Sequence, residues 1–183
     1  MKRTLIATAA VASLFAGSAM AADTGFYAGG NLGTSKQDIS ASAPRENSPT
    51  TGGIYGGYNF NRNVGVEVSY NNHGKSSVEG LNDVKTRSLD VDLVARMPVH
   101  ENVDIYGKAG VAYLDRELEQ AGASTSRNGA AGKLGIGAEF KATEKVALRV
   151  EVAHYMGAPT FEGPGYEYKD NFTTFTVGAN YKF

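Results

Sequence analysis

The sequence has no cysteine, no tryptophan and only 5 prolines in 183 residues. Without cysteine there is no disulfide framework, no thiolate ligand and no thiol chemistry. The formal charge is nearly balanced, at −1, so the electrostatic footprint needed to hold nucleic acid is missing. Past residue 21 no apolar run is long enough to make a membrane-spanning helix. A helical membrane bundle is therefore excluded, whereas a barrel that crosses with strands is not. A chain without disulfides must hold itself by packing or by closing a hydrogen-bonded ladder. What the sequence does have is 23 glycines, 10 tyrosines and 8 phenylalanines.

The first residues read as an export signal. Lys2 and Arg3 form a positive start, residues 5–15 a short apolar run, and Ala19-Met20-Ala21 a small-x-small cleavage site. Residues 1–21 are expected to leave as a signal peptide, with 22–183 as one domain. Losing Lys2 and Arg3 takes the formal charge from −1 to −3.

The rest is a series of segments that alternate apolar and polar, separated by turn formers. They fall at 25–33, 52–60, 64–70, 86–97, 103–114, 132–140, 146–155 and 172–183. In the last, Phe175, Val177, Ala179, Tyr181 and Phe183 share one side; strand side chains point alternately to opposite faces. The connections run long, short, long, short, long, short, long. The short ones, such as Asn61-Arg62-Asn63, carry residues that tolerate tight turns. An even number of strands with this sorting predicts an all-β fold: an eight-stranded antiparallel up-and-down transmembrane β-barrel. Its long loops at 34–51, 71–85, 115–131 and 156–171 would lie outside the cell, and its short turns in the periplasm.

Alternation alone does not say which face meets lipid, but three features do. Strand charges keep to one face: Glu67, Asp90, Asp92, Arg96, Lys108, Lys133, Glu139, Arg149, Glu151 and Lys182. The other face has none between its ends, as expected where a midplane lysine or arginine would cost about 2–4 kcal/mol. Glycines, among them Gly29, Gly57, Gly110 and Gly137, also fall on the charged face, as a narrow lumen requires. Aromatic residues gather near strand ends; Phe60, Tyr70, Tyr113, Phe140 and Tyr155 are expected to form interfacial girdles. Enclosed, the five acids and five bases must pair, because unpaired buried charge is costly. They read either as an ion gate or as a polar filling of the tube.

Five stretches carry a family resemblance: Val64-Gly-Val-Glu-Val-Ser-Tyr, Asn102-Val-Asp-Ile-Tyr-Gly-Lys-Ala-Gly, Gly135-Ile-Gly-Ala-Glu-Phe, Val146-Ala-Leu-Arg-Val-Glu and Val177-Gly-Ala-Asn-Tyr-Lys-Phe. In this order they resemble the OmpA-type outer-membrane transmembrane domain. The resemblance implies interior salt bridges that can switch, carried here by Glu67, Arg96, Glu139 and Arg149 with Lys108 and Glu151 beside them. It implies that Thr176, Gly178, Tyr181 and Phe183 act as the assembly signal read by the barrel-assembly machinery, with periplasmic chaperones as earlier partners. After Phe183 no peptidoglycan-binding domain follows, so cell-wall anchoring by that route is not expected.

Some small outer-membrane barrels modify lipid A, and they need a nucleophile and a base at the outer rim. His73 lies among polar residues and reads as a solvated loop side chain. His100 falls in a short turn, at the wrong end. His154 is near the outer end of its strand, but Met156 stands where the lipid A deacylase family has a serine; His154 and Tyr155 read as part of the interfacial belt. No metal cluster, phosphate loop or serine elbow appears. The expectation is a protein without cofactor or catalysis, with outer-membrane lipid and lipopolysaccharide around it. Its role is structural and adhesin-like, with a host-surface ligand met through the four loops, above all by Phe161, Tyr166 and Tyr168. A small gated channel and a lipid A-modifying enzyme are the alternatives.

Overall fold

Alternating side chains and closely spaced turns fold here into eight antiparallel strands. The computed structural model describes residues 24–37, 49–78, 81–120, 123–157 and 171–183. The strands are β1 (Gly25–Gln37), β2 (Thr50–Asn59), β3 (Val64–Val78), β4 (Leu81–His100), β5 (Val103–Gln120), β6 (Ala123–Lys141), β7 (Val146–Met156) and β8 (Phe172–Lys182). Each pairs with the next, and β8 pairs with β1 from Tyr27↔Lys182 to Gln37↔Phe172. The sheet closes into a barrel and has no edge through the span.

The alternation sorts residues as a membrane barrel requires. On β7, Leu148, Val150 and Val152 point outward and are 41–52% exposed, while Ala147, Arg149 and Ala153 are buried. Leu32, Ile54, Leu93, Val111, Ile136 and Val177 continue the apolar exterior around the circumference. For the charged positions of β3 to β7 the predicted face assignment holds: Glu67, Asp90, Asp92, Lys108, Lys133, Glu139 and Arg149 are buried inside.

The connections at one end are short. Asn61 Oδ1 accepts from the backbone N–H of Asn63 and Val64 at 2.8 and 2.9 Å. Thr143 Oγ1 likewise accepts from the N–H of Lys145 and Val146. These side chains stand in for the missing ladder partner and fix the reversal. Thr24 and Phe183 lie at this turn end, where the Phe183 N–H donates to the Phe26 carbonyl at 3.0 Å.

At the opposite, loop end the strands run further than alternation suggests. The segments 71–85 and 115–131, predicted as long loops, are mostly ladder. β3 and β4 pair up to Val78↔Leu81, and β5 and β6 up to Gln120↔Ala123. Hydrophobic alternation stops where lipid stops, but backbone hydrogen bonding has no such limit. β3 also carries a register shift between Asn72 and Lys75, at Gly74 with φ +78°, a backbone state that glycine takes without steric cost. Residues 38–48 and 158–170 lie outside the described residues, and so do Phe161, Tyr166, Tyr168 and the 1–21 segment.

Glycines make room for the lumen's large rings. Tyr27 sits directly opposite Gly57, Tyr55 opposite Gly29 and Tyr106 opposite Gly137 on the neighbouring strand. A Cβ added at Gly29 would come 2.5 Å from the Tyr55 ring, and one at Gly57 or Gly137 would strike the Tyr27 or Tyr106 ring. Each tyrosine thus folds over its glycine and into the tube.

Candidate functional site

The charged lumen is built mainly by β3 to β7, whose inward positions carry acids and bases at matching heights. In the middle, Lys108 Nζ lies 2.5 Å from Glu67 Oε1 and 2.6 Å from Glu151 Oε2. Arg149 reaches Glu67 Oε2 at 2.7 Å and Glu139 Oε2 at 3.1 Å. The hydroxyls of Tyr27 and Tyr106 donate to Glu67 and Glu151, both at 2.9 Å. Asn180 Nδ2 donates to Glu139 Oε2 at 3.0 Å. The Arg149 guanidinium lies 4.7 Å from the Tyr55 ring, 4.9 Å from Tyr106 and 5.7 Å from Tyr27. A cation on the face of several rings gains further electrostatic attraction in a dry site.

A second network lies nearer the loop end. Lys133 Nζ bridges Asp90 Oδ2 and Asp92 Oδ2 at 2.8 and 2.7 Å. Asp90 Oδ2 also accepts from Tyr155 Oη at 2.9 Å, Asn71 Nδ2 at 3.0 Å and Ser69 Oγ at 3.2 Å. Above it, the His73 ring lies 2.9 Å from Ser88 Oγ and 3.3 Å from Thr51 Oγ1. Tyr155 and Phe172 stack at 4.3 Å, and both meet His73 edge-on. Between the two networks is a polar void of about 10 Å³, lined in part by Glu67, Ser69, Lys108, Lys133, Glu151 and Thr176, about the room one water needs. Removing a single partner from such buried pairs leaves an uncompensated charge, which makes these networks rigid cross-braces.

Of the six residues expected to form the interior salt bridges, Glu67, Lys108, Glu139, Arg149 and Glu151 share one connected network. Arg96 stands apart toward the turn end: it donates to Asn59 Oδ1 at 2.6 Å and lies over the Tyr27 ring. Lys182 approaches Glu139 at 3.5 Å and Lys141 holds Asp104 at 2.8 Å. Phe60, Tyr70, Tyr113 and Phe140 point outward, 48–51% exposed. Tyr155 does not belong with them. It is 2% exposed and faces the lumen, because the position after outward His154 must point inward. His73 is likewise buried at 3% and is no solvated loop residue, since β3 continues past it. His154 faces outward and bonds Thr173 Oγ1 at 2.9 Å; His100 is exposed at the turn end.

In the closing strand, Tyr181 and Phe183 pack edge-on outside at 5.3 Å. Gly178 faces inward where β8 approaches β1 so closely that a Cβ would lie 2.5 Å from the Gly30 carbonyl; Thr176 also points to the lumen. Sequence reasoning missed Tyr27, Tyr55 and Tyr106 as lumen rings, and Asp104 and Arg116 as inward charges. For Asp104, Tyr106 and Arg116 the usable signal was parity with Lys108 along β5, and for Tyr27 and Tyr55 parity with the lumen glycines Gly29 and Gly57 on their own strands.

A closed eight-strand meander with an apolar exterior and an ion-paired interior defines a transmembrane β-barrel protein. Residues 7–183 match the family model described as the outer membrane protein beta-barrel domain; the chain belongs to that family and to the bacterial outer membrane. It is 29% identical over its whole length to outer membrane protein A of Yersinia pseudotuberculosis, of which 56% is covered. It is 32% identical to outer membrane protein P5 of Haemophilus influenzae, over 82% of this chain and 50% of that protein. The chain spans about half the length of these relatives. Among solved structures, Neisserial surface protein A superposes with a TM-score of 0.71 at 17% identity, over 86% of this chain and 97% of that one. The attachment invasion locus protein Ail of Yersinia pestis does so at 0.58 and 20%, over 90% and 100%.

Proposed function

We propose that the protein is a non-catalytic outer-membrane barrel that stiffens the envelope and presents its loop end for adhesin-like contact with a host surface. The observation that carries this reading is the filled lumen. The two ion-paired networks and the caged Arg149 guanidinium occupy the tube, leaving a rigid stave rather than a passage. The paired extensions of β3–β4 and β5–β6 beyond the apolar band supply stiff hairpins for contact. Absence of catalysis fits the outer rim, where outward His154 is paired with Thr173 and has Met156 two positions on. In this reading residues 1–21 direct export and leave 22–183, and Thr176, Gly178, Tyr181 and Phe183 are read by the assembly machinery. Deleting the protein should increase envelope leakage and lower host-cell attachment, while purified protein in planar bilayers gives no conductance steps. Unchanged leakage and attachment would overturn the proposal.

A second reading, a gated channel, is favoured by one feature. Lys108 touches Glu67 and Glu151 at nearly equal distance, so a small movement could exchange partners. It requires single-channel steps that change with Glu67→Ala or Arg149→Ala.

A further inference from the structure

His73 stands where the lumen closes toward the loop end. It lies three residues past Tyr70, outside the apolar band, and is nevertheless only 3% exposed. The polar void between the two networks has its ring as one wall. The Tyr155 and Phe172 rings meet it edge-on at 5.2 and 5.0 Å.

The hydrogen bonds suit a neutral imidazole. Thr51 Oγ1 donates to the Asn72 carbonyl at 3.1 Å, so toward His73 Nδ1, 3.3 Å away, it can only accept. Nδ1 therefore carries the proton, and Nε2 accepts from Ser88 Oγ at 2.9 Å. A second ring proton would force Ser88 to reverse its hydroxyl and would add a buried positive charge. Among the described residues, β6 presents Lys133 to the ring and β5 presents Arg116. β4 presents Asp90, which Lys133 already bonds, and β7 presents Tyr155, whose hydroxyl is given to Asp90. β2 and β8 present the uncharged Thr51 and Phe172. Burial, helped by two cations against one acid, pushes the imidazole pKa down to about 4.

The backbone beside the ring has a point of release. Gly74 follows with φ +78°, and the β3–β4 register shifts between Asn72 and Lys75. The β2–β3 register ends at Gly52↔Asn72, so from Lys75 to Val78 the tip of β3 is paired with β4 alone. A ladder held on one side and interrupted at its base is the part of a sheet that opens at least cost.

We propose that His73 is an acid-sensitive latch: neutral, it seals the loop end of the lumen; protonated, it leaves its slot, the tip of β3 swings out about Gly74 and water enters the void. The latch is separate from the exchange of partners at Lys108, and it does not depend on the adhesin-like role. In the open form the ring regains its ordinary pKa of about 6.5, so the open form binds the extra proton. Closure is fully favoured above that value, weakens as pH falls from about 6.5 to about 4 and changes no further below.

The test is hydrogen–deuterium exchange mass spectrometry of the whole barrel in nanodiscs at pH 7.5 and pH 5, corrected for the intrinsic exchange rate, with the His73 ring followed by NMR. Protection of 75–78 should fall about thirtyfold at the lower pH, while 64–70 and 146–152, beside the lumen braces, hold. His73→Gln, which offers a donor and an acceptor but does not titrate, should abolish the effect; His154→Gln should leave it intact. Equal protection of the parent at both pH values would overturn the proposal, and so would a ring that gains its proton with no loss of protection; neither needs a variant. An undiminished loss in His73→Gln would assign the effect to other groups. A loss as large in 64–70 and 146–152 would mean that acid loosens the whole barrel, and either result would overturn the latch.

Discussion

Arg149 concentrates more of the lumen's chemistry than any other side chain described above. It is 4% exposed, bonds two glutamates and is caged by three tyrosine rings. Arg149→Met keeps much of the volume but leaves Glu67 and Glu139 short of a counter-charge. Breaking a buried pair in this way costs about 3–5 kcal/mol, and urea unfolding in detergent should show a loss of that order. The glycine beneath each ring is equally specific. Gly137→Val would collide with the Tyr106 ring and the Val150 carbonyl, for which overpacking costs about 1–3 kcal/mol. Combining it with Tyr106→Ala should give a smaller loss than the sum of the two single changes, measured in the same unfolding assay. Were the losses strictly additive, the ring and the glycine would not be coupled.

At the scale of the strand, the sequence was legible wherever lipid imposes its rule. From Val66 to Tyr70 and from Leu148 to Val152, apolar and polar positions alternate without a break, and both stretches lie within strands, β3 and β7. The faces of Glu67, Lys108 and Arg149 follow from parity alone. Legibility ended at the water boundary. Lys85 and Arg87 put charge at the parity that is apolar from Leu89 onward, and Asp115, Arg116 and Glu117 carry charge on both faces, so the period is hidden there although the ladder is intact. Which acid meets which base was also hidden. Glu67 and Arg149 are 82 residues apart, and barrel closure, not local pattern, decides their meeting. Tyr155 was misplaced for a related reason: aromaticity near a strand end was given more weight than parity. The amides of β4 at 84–88 and of β5 at 114–118 should therefore exchange slowly in nanodiscs, read by hydrogen–deuterium exchange mass spectrometry. Exchange as fast as that of the 142–145 turn would contradict the extended ladder.

For the whole molecule, closure along β1 and β8 is the last requirement, and two different forces act on it. The ladder and the lumen pairs favour the closed state wherever the chain is, whereas delivery to the membrane depends on recognition in the cell. Deleting Phe183 removes an exposed ring that packs edge-on against Tyr181 and, among its contacts, the hydrogen bond to Phe26. Refolding of the purified chain in detergent should be nearly normal, with the usual heat-dependent gel shift. The amount reaching the outer membrane in cells should fall several-fold. A defect in the test tube as large as that in the cell would mean that Phe183 acts through stability rather than through recognition.

The braces across the lumen tie together strands that are not neighbours: β3 to β5 and β7, and β4 to β6 and β7. β7 alone carries Arg149, Glu151 and Tyr155, whereas Tyr27 is what β1 contributes to the central network. The barrel therefore has a mechanical direction. Pulled by its first residues, it should surrender the β1–β2 pair at modest force and hold the remainder. Pulled by its last residues, it should resist until β7 tears free, and then come out in one long event, because what stays behind has lost its crosspieces.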